Sequence, residues 1–142
     1  MNTAILHTFI FISGLLHIML GIGSSIIPRV LNWKKELGNV QPLIRQMFWT
    51  YAAYILVINI CFGLISIFGT DELLNHSFLA QSITLFIGLY WFTRIGIQFF
   101  YFDKTNAPKG SIFILAEIAL IALFVLFAAV YLIAFLYNRS WI

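Results

Sequence analysis

The sequence predicts an all-α integral membrane protein, a four-helix bundle of up-down topology with both termini on the non-cytoplasmic side. Three observations support this fold class. Of the 142 residues, 62% are hydrophobic and 9% are charged, whereas about a quarter of the residues of a soluble domain are charged. The apolar residues form four long runs, and the basic residues collect in alternate connections between those runs. A chain with so few charges is suited to lipid rather than to water.

The four apolar runs cover positions 3–27, 43–67, 78–102 and 112–137. Each run exceeds the ~20 residues that a helix needs to cross ~30 Å of hydrocarbon. Helices are expected because backbone polar groups in lipid must be paired within their own segment. The runs also lack the alternation of polar and apolar positions that a membrane β-barrel shows. We therefore expect a single transmembrane domain over residues 1–142, with the first run retained as a span because no basic residue precedes it.

The basic residues predict the orientation of the spans. Four of them lie in or beside the connection at 28–42 and two lie in the connection at 103–111. On the other side, the connection between the second and third runs holds Asp71 and Glu72, and the C-terminal tail holds only Arg139. The positive-inside rule places the connections 28–42 and 103–111 in the cytoplasm. We expect a multi-pass protein of the cell membrane, most simply a bacterial inner membrane.

The first cytoplasmic connection has an amphipathic pattern. Val30, Trp33 and Leu37 recur at helical spacing among polar residues, which favours a short helix lying on the lipid headgroups. Pro42 is expected to open the second span because proline suits the first turn of a helix. The alternative for this connection is an irregular polar loop.

Arg94 is the most informative residue, because a charge within a span is costly and must find partners inside the protein. Glu117 on the fourth span lies at a similar depth when positions are converted at ~1.5 Å per residue. We predict an Arg94–Glu117 ion pair, an intramembrane salt bridge extended by Gln98 one turn from Arg94. The alternative is that these polar groups only fix the register of the two helices.

A candidate ligand cavity follows from bringing polar and aromatic residues of similar depth together. In the first span His17 shares a stripe with the small residues Gly14 and Gly21, which allow a neighbouring helix to approach closely. Aromatic walls with a few converging polar groups suit a small lipophilic ligand; a filled, hydrogen-bonded bundle core is the alternative. The predicted lining residues are His17, Tyr51, Tyr54, Tyr90, Trp91, Arg94, Gln98 and Glu117.

No motif in the sequence assigns a metal or a cofactor. Cys61 is the one cysteine, which excludes an internal disulfide and every multi-cysteine metal site. A haem held between His7 and His76 is geometrically conceivable, but no other feature supports it, and we expect no bound metal. Phosphate-binding loops and nucleophile elbows are absent, so the sequence decides neither for nor against catalysis.

Three functional classes are compatible with this pattern. The first is a non-catalytic component or assembly partner of a membrane complex, favoured by short connections and small-residue stripes that serve helix packing. The second is a binder or enzyme for a quinone or lipid that uses the Arg94/Glu117/His17 cavity. The third is a small oligomeric carrier of ions or solutes. The expected partners are the lipid bilayer and other membrane subunits or further copies of the chain, and the scattered net charge of +3 argues against nucleic acid.

Overall fold

The computed structural model of the protein describes residues 2–103, 105 and 109–140. Over these residues the chain is helical and holds no strand, and four of the described helices are long and apolar enough to cross a membrane. At ~1.5 Å per residue they measure about 33 to 42 Å, which exceeds the ~30 Å of a hydrocarbon core. The chain is therefore an all-α protein consistent with a multi-pass membrane protein. In chain order the helices are α1 (Thr3–Ser24), α2 (Ile27–Val30), α3 (Trp33–Glu36), α4 (Pro42–Phe68), α5 (Phe78–Phe100) and α6 (Ser111–Asn138).

Local chemistry marks the positions at which the long helices begin. Asn2 caps α1 by accepting a hydrogen bond from the backbone N–H of Ala4 at 3.0 Å. Pro42 opens α4, where its missing N–H costs no helical hydrogen bond. The Ser77 hydroxyl caps α5 by accepting from the N–H of Ala80 at 3.1 Å.

The first connection differs from the single amphipathic helix that the spacing predicts. Two one-turn helices, α2 and α3, replace it, followed by a 3-10 turn at Leu37–Asn39. Asn32 separates the two helices because its φ of 50° lies in the left-handed region, which interrupts a right-handed helix and which asparagine tolerates. In the second predicted cytoplasmic connection, positions 104 and 106–108 lie outside the described residues.

Residues 11–69 form one compact unit, in which α1 from Phe11 onward runs antiparallel to α4. Gly14 faces Gly63 so closely that a Cβ added to Gly14 would stand 3.0 Å from the Gly63 carbonyl oxygen. Small residues thus bring the two backbones together. Two buried side-chain oxygens of this unit, Ser13 Oγ and Asn59 Oδ1, have no hydrogen-bond partner among the described residues.

The described residues of the ranges 1–10 and 70–142 form the second compact unit, dominated by α5 and α6. The two helices are antiparallel, since Gly88 meets Leu132 while Gln98 meets Glu117. The buried positions lie toward one end of the pair: those of α5 run from Ala80 to Trp91 and those of α6 from Phe124 to Asn138.

Asn138 ties the connection between α4 and α5 to the end of α6. Its buried amide donates to the Leu73 carbonyl at 2.7 Å, and its Oδ1 accepts from the backbone N–H of His76 at 3.1 Å. The side chain of Gln81 donates to the Asn138 carbonyl at 3.2 Å. The side-chain amide of Asn138 therefore pairs the Leu73 carbonyl, which would otherwise be buried without a partner.

Candidate functional site: a polar cluster on α5 and α6

Arg94 directs its charge toward the end of α5. Its Nη1 donates to Oε1 of Gln98, one turn later, at 3.5 Å. Its Cζ stands 5.1 Å from the centroid of the Phe102 ring, two residues beyond the helix end. The half-buried side chain thus carries its head away from the centre of the helix, as long basic side chains do near membrane interfaces.

The Arg94 guanidinium contacts two aromatic rings. Besides Phe102, the Phe124 ring on α6 lies with its centroid 5.2 Å from Arg94 Cζ. Both distances are within the ~6 Å over which a cation is attracted to a ring face, at about 0.5–2 kcal/mol for each ring. Phe124 is itself fixed, since it stacks on the buried Trp91 with ring centroids 5.0 Å apart. The core of the unit thereby positions one wall of the cluster.

Gln98 links the two charged residues. Its Nε2 donates to Oε1 of Glu117 at 3.2 Å while its Oε1 accepts from Arg94. The amide is therefore oriented with its acceptor toward the cation and its donor toward the anion. We refer to Arg94, Gln98 and Glu117 as the amide relay.

The direct Arg94–Glu117 ion pair that the sequence predicts is not what the structure contains. Gln98 lies between Arg94 and Glu117, and within the described residues the contact of a carboxylate with a basic side chain joins His7 and Asp71, with Nε2 and Oδ1 3.2 Å apart. The physical reason is the direction of the Arg94 side chain. It extends toward the C-terminal end of α5, which brings the guanidinium to the level of Gln98. The Gln98 amide gives Arg94 a polar partner on its own helix.

The other predicted lining residues divide between the two compact units. Tyr90 and Trp91 lie beside the relay on α5, with ring centroids 5.2 Å apart, and Trp91 is 2% exposed. His17, in the unit of residues 11–69, is fully buried; its Nδ1 lies 2.7 Å from the Ser13 carbonyl oxygen. Tyr51 and Tyr54, also in that unit, are 58% and 65% exposed.

Sequence reasoning missed Phe102 and Phe124 as partners of Arg94. A signal for the first is present, because positions 94, 98 and 102 follow each other at intervals of four and so share one helix face. The Phe124 contact carries no such local signal, since it depends on the pairing of α5 with α6.

The two histidines considered for haem have other contacts. His7 contacts Asp71. His76 packs against Tyr137 with ring centroids 4.7 Å apart and ring planes tilted by 37°, and its Nδ1 lies 3.3 Å from the Asn138 carbonyl oxygen. Among the residues that the structure describes, no group of three or more His, Cys, Asp or Glu side chains is placed to hold a metal ion.

The amide relay is suited to binding a polar group of a ligand. A guanidinium has five N–H donors, and Arg94 uses one of them on Gln98 among the described side chains. The remaining donors, set beside aromatic rings, suit a carbonyl or phosphate oxygen of an amphiphilic molecule.

The chain matches no protein-family model, no curated protein and no solved structure.

Proposed function

We propose that this chain is a non-catalytic component or assembly partner of a membrane complex. The observation that carries the proposal is the exposure of the first turns of α4. Every residue from position 41 to position 51 is exposed, on all sides of the helix, and Tyr54 is 65% exposed. A surface of this kind on a transmembrane helix is suited to packing against another protein.

The polar groups on this surface are the reason to expect protein rather than lipid against it. Tyr54 lies twelve residues into α4, or about 18 Å along the helix. α4 is about 40 Å long, so even if its entire ~10 Å excess over the hydrocarbon projected from this end, the Tyr54 backbone would be ~8 Å inside. No described residue hydrogen-bonds the hydroxyl of Tyr54, and an unpaired hydroxyl in hydrocarbon costs several kcal/mol. A partner helix that supplies acceptors removes that cost.

Site-specific photocrosslinking in native membranes tests the proposal. A photoreactive amino acid at position 54 is compared with the same group at position 79, since Tyr54 and Leu79 are matched in exposure at 65% and 66%. We expect a discrete protein adduct from position 54 and lipid adducts alone from position 79. An adduct of twice the 16.3 kDa chain mass identifies a homo-oligomer, and a different mass identifies another subunit. Lipid adducts alone at both positions would refute the proposal.

The proposed arrangement in the membrane is an up-down bundle with both termini on the non-cytoplasmic side of a bacterial inner membrane. The excess of basic residues in the connections at 28–42 and 103–111 supports it. Alkaline phosphatase fused after Thr70 is expected to be active, and the same enzyme fused after Lys35 is expected to be silent. The reverse pattern would refute this orientation.

A second candidate function, binding of a quinone or lipid, is favoured by the amide relay. Arg94 offers donors beside two aromatic rings, and Glu117 lies on the far side of the Gln98 amide. Mass spectrometry of the molecules extracted with the purified protein tests it, comparing the wild type with Arg94→Gln. Loss of one specific amphiphile from the variant supports the candidate, and an unchanged set of molecules contradicts it. If Arg94→Glu combined with Glu117→Arg retains the same molecules as the wild type, the relay has a purely structural role.

A further inference from the structure

A basic groove of about 770 Å³ opens where the first long helix ends and α4 begins. Its lining comes from four consecutive segments within the unit of residues 11–69: the end of α1, then α2, α3 and the first turns of α4. The groove is independent of the amide relay, and it shares Arg45 and Trp49 with the exposed first turns of α4. Its polar and aromatic lining comprises Ser25, Arg29, Asn32, Lys34, Arg45 and Trp49.

Three cations converge on the groove. Arg29, Lys34 and Arg45 line it, and no carboxylate is among the described lining residues. No described acidic side chain forms an ion pair with any of these three. Three like charges around one concavity repel each other, and an anion bound among them reverses that unfavourable energy.

Asn32 is responsible for the convergence. Its left-handed backbone, at φ 50°, turns the chain between α2 and α3. A continuous helix would place Arg29 and Lys34 on different faces, since residues five apart are separated by about 140° around the axis. The break instead allows both side chains to line the same groove as Arg45.

An aromatic cluster indicates the depth of the groove in the membrane. The Trp33 ring lies edge-on to Phe48 and to Trp49, with centroids 4.9 and 5.8 Å apart. Tryptophan is enriched at the level of lipid headgroups. Because Trp49 belongs to both the cluster and the groove, we expect the three cations at the level of lipid phosphates.

We propose that this groove binds the phosphate-bearing headgroup of an anionic phospholipid. A soluble phosphate compound offers the same chemistry to the three cations. The lipid is favoured because Trp49, a residue type enriched at the level of lipid headgroups, lines the groove beside the cations. Basic pockets beside membrane helices bind anionic headgroups by the same combination.

Native mass spectrometry of the full chain in detergent, titrated with phosphatidylglycerol or with phosphatidylcholine, tests the proposal. We expect the wild type to retain one phosphatidylglycerol at least tenfold more strongly than phosphatidylcholine. Each cation near an anionic lipid contributes about fivefold in affinity, so Arg29→Gln and Arg45→Gln should each lower retention about fivefold and the double variant about 25-fold. Lys35→Gln is the matched control, because Lys35 adjoins Lys34 but does not line the groove, and its retention should stay within twofold.

Equal retention of the two lipids by the wild type would overturn the proposal, as would an equal loss in Lys35→Gln and Arg45→Gln. Glycerol phosphate distinguishes the source of the phosphate. It should not displace the lipid at a hundredfold excess, and displacement at equal concentration would overturn the lipid assignment. Should Arg45→Gln fail to fold, Lys34→Gln on the exposed one-turn helix α3 provides the same measurement, with the same fivefold loss expected.

Discussion

A single methyl group added to Gly14 is expected to weaken the pairing of α1 with α4. A Cβ at this position would stand 2.9 Å from Cγ1 of Ile67 and 3.0 Å from the carbonyl oxygen of Gly63. Carbon atoms in contact normally lie about 3.5–4.0 Å apart, so the new methyl overlaps its neighbours by roughly half an ångström or more. One of those neighbours is backbone, which cannot rotate away, so the helices themselves must separate.

The magnitude follows from two opposing terms. Overpacking of a filled interface costs about 1–3 kcal/mol, while replacing glycine by alanine within a helix contributes about 1 kcal/mol of propensity. Gly14→Ala should therefore lower the free energy of unfolding by up to about 2 kcal/mol. Gly23→Ala is the matched control, because Gly23 lies on the same helix with nothing within 4 Å of its added Cβ. The difference between the variants isolates the steric term, about 1–3 kcal/mol, or roughly 5- to 150-fold in the unfolding equilibrium.

Unfolding of the purified variants in detergent micelles, followed by helical circular dichroism, measures this difference. Gly23→Ala should be at least as stable as the wild type and Gly14→Ala less stable than Gly23→Ala. A second pair probes the facing glycine: a Cβ at Gly63 would meet Ile18 Cδ1 at 2.6 Å, so Ile18→Ala should recover part of the loss caused by Gly63→Ala. Equal stability of the Gly14 and Gly23 variants would refute the close approach of the two backbones.

Three other substitutions are expected to change the free energy of unfolding by different amounts, and one of them in the opposite direction. Asn138→Ala should lower the free energy of unfolding by about 1–3 kcal/mol, because the buried Leu73 carbonyl loses its donor, with faster proteolysis of the connection at 69–77 as the readout; unchanged cleavage would contradict it. Gln98→Leu should cost only about 0.5–1.5 kcal/mol in thermal or denaturant unfolding, since the relay is half-buried, and a larger loss would show that the relay is a main support of the fold. Ser13→Ala should raise the free energy of unfolding by about 1–3 kcal/mol, because it removes a buried hydroxyl that has no partner among the described residues, and a loss of stability would indicate a partner for that hydroxyl.

The long helices could be predicted because their causes are local. Composition over some twenty residues decides whether a segment suits hydrocarbon, and Pro42 and Ser77 mark helix starts within a few residues of sequence. The connection after α1 is a partial exception. Its amphipathic spacing is visible in the sequence, but the left-handed conformation of Asn32 is one choice among several that asparagine tolerates.

The partners of Arg94 were harder to predict because they depend on side-chain direction. A rise of ~1.5 Å per residue places backbone atoms, but the arginine head can lie several ångströms above or below its own Cα. The sequence therefore indicated the right helices and the right polar residues but not their order of contact, with Gln98 between the charges. Asn138 escaped prediction for a similar reason, since its partners Leu73 and His76 lie more than sixty positions away.

The location of the amide relay bears on whether it merely sets helix register. Register in the pair α5 and α6 is already determined in the buried part: Gly88 admits Leu132 against its backbone, and Trp91 packs on Phe127 with ring centroids 4.9 Å apart. Gln98 and its contacts lie beyond the last buried residue of α5, where fewer apolar contacts resist local opening. A polar link that only fixed register would be redundant there. The quinone or lipid proposed above as a second candidate function would give Arg94 a contact that offsets the cost of keeping a guanidinium in that segment.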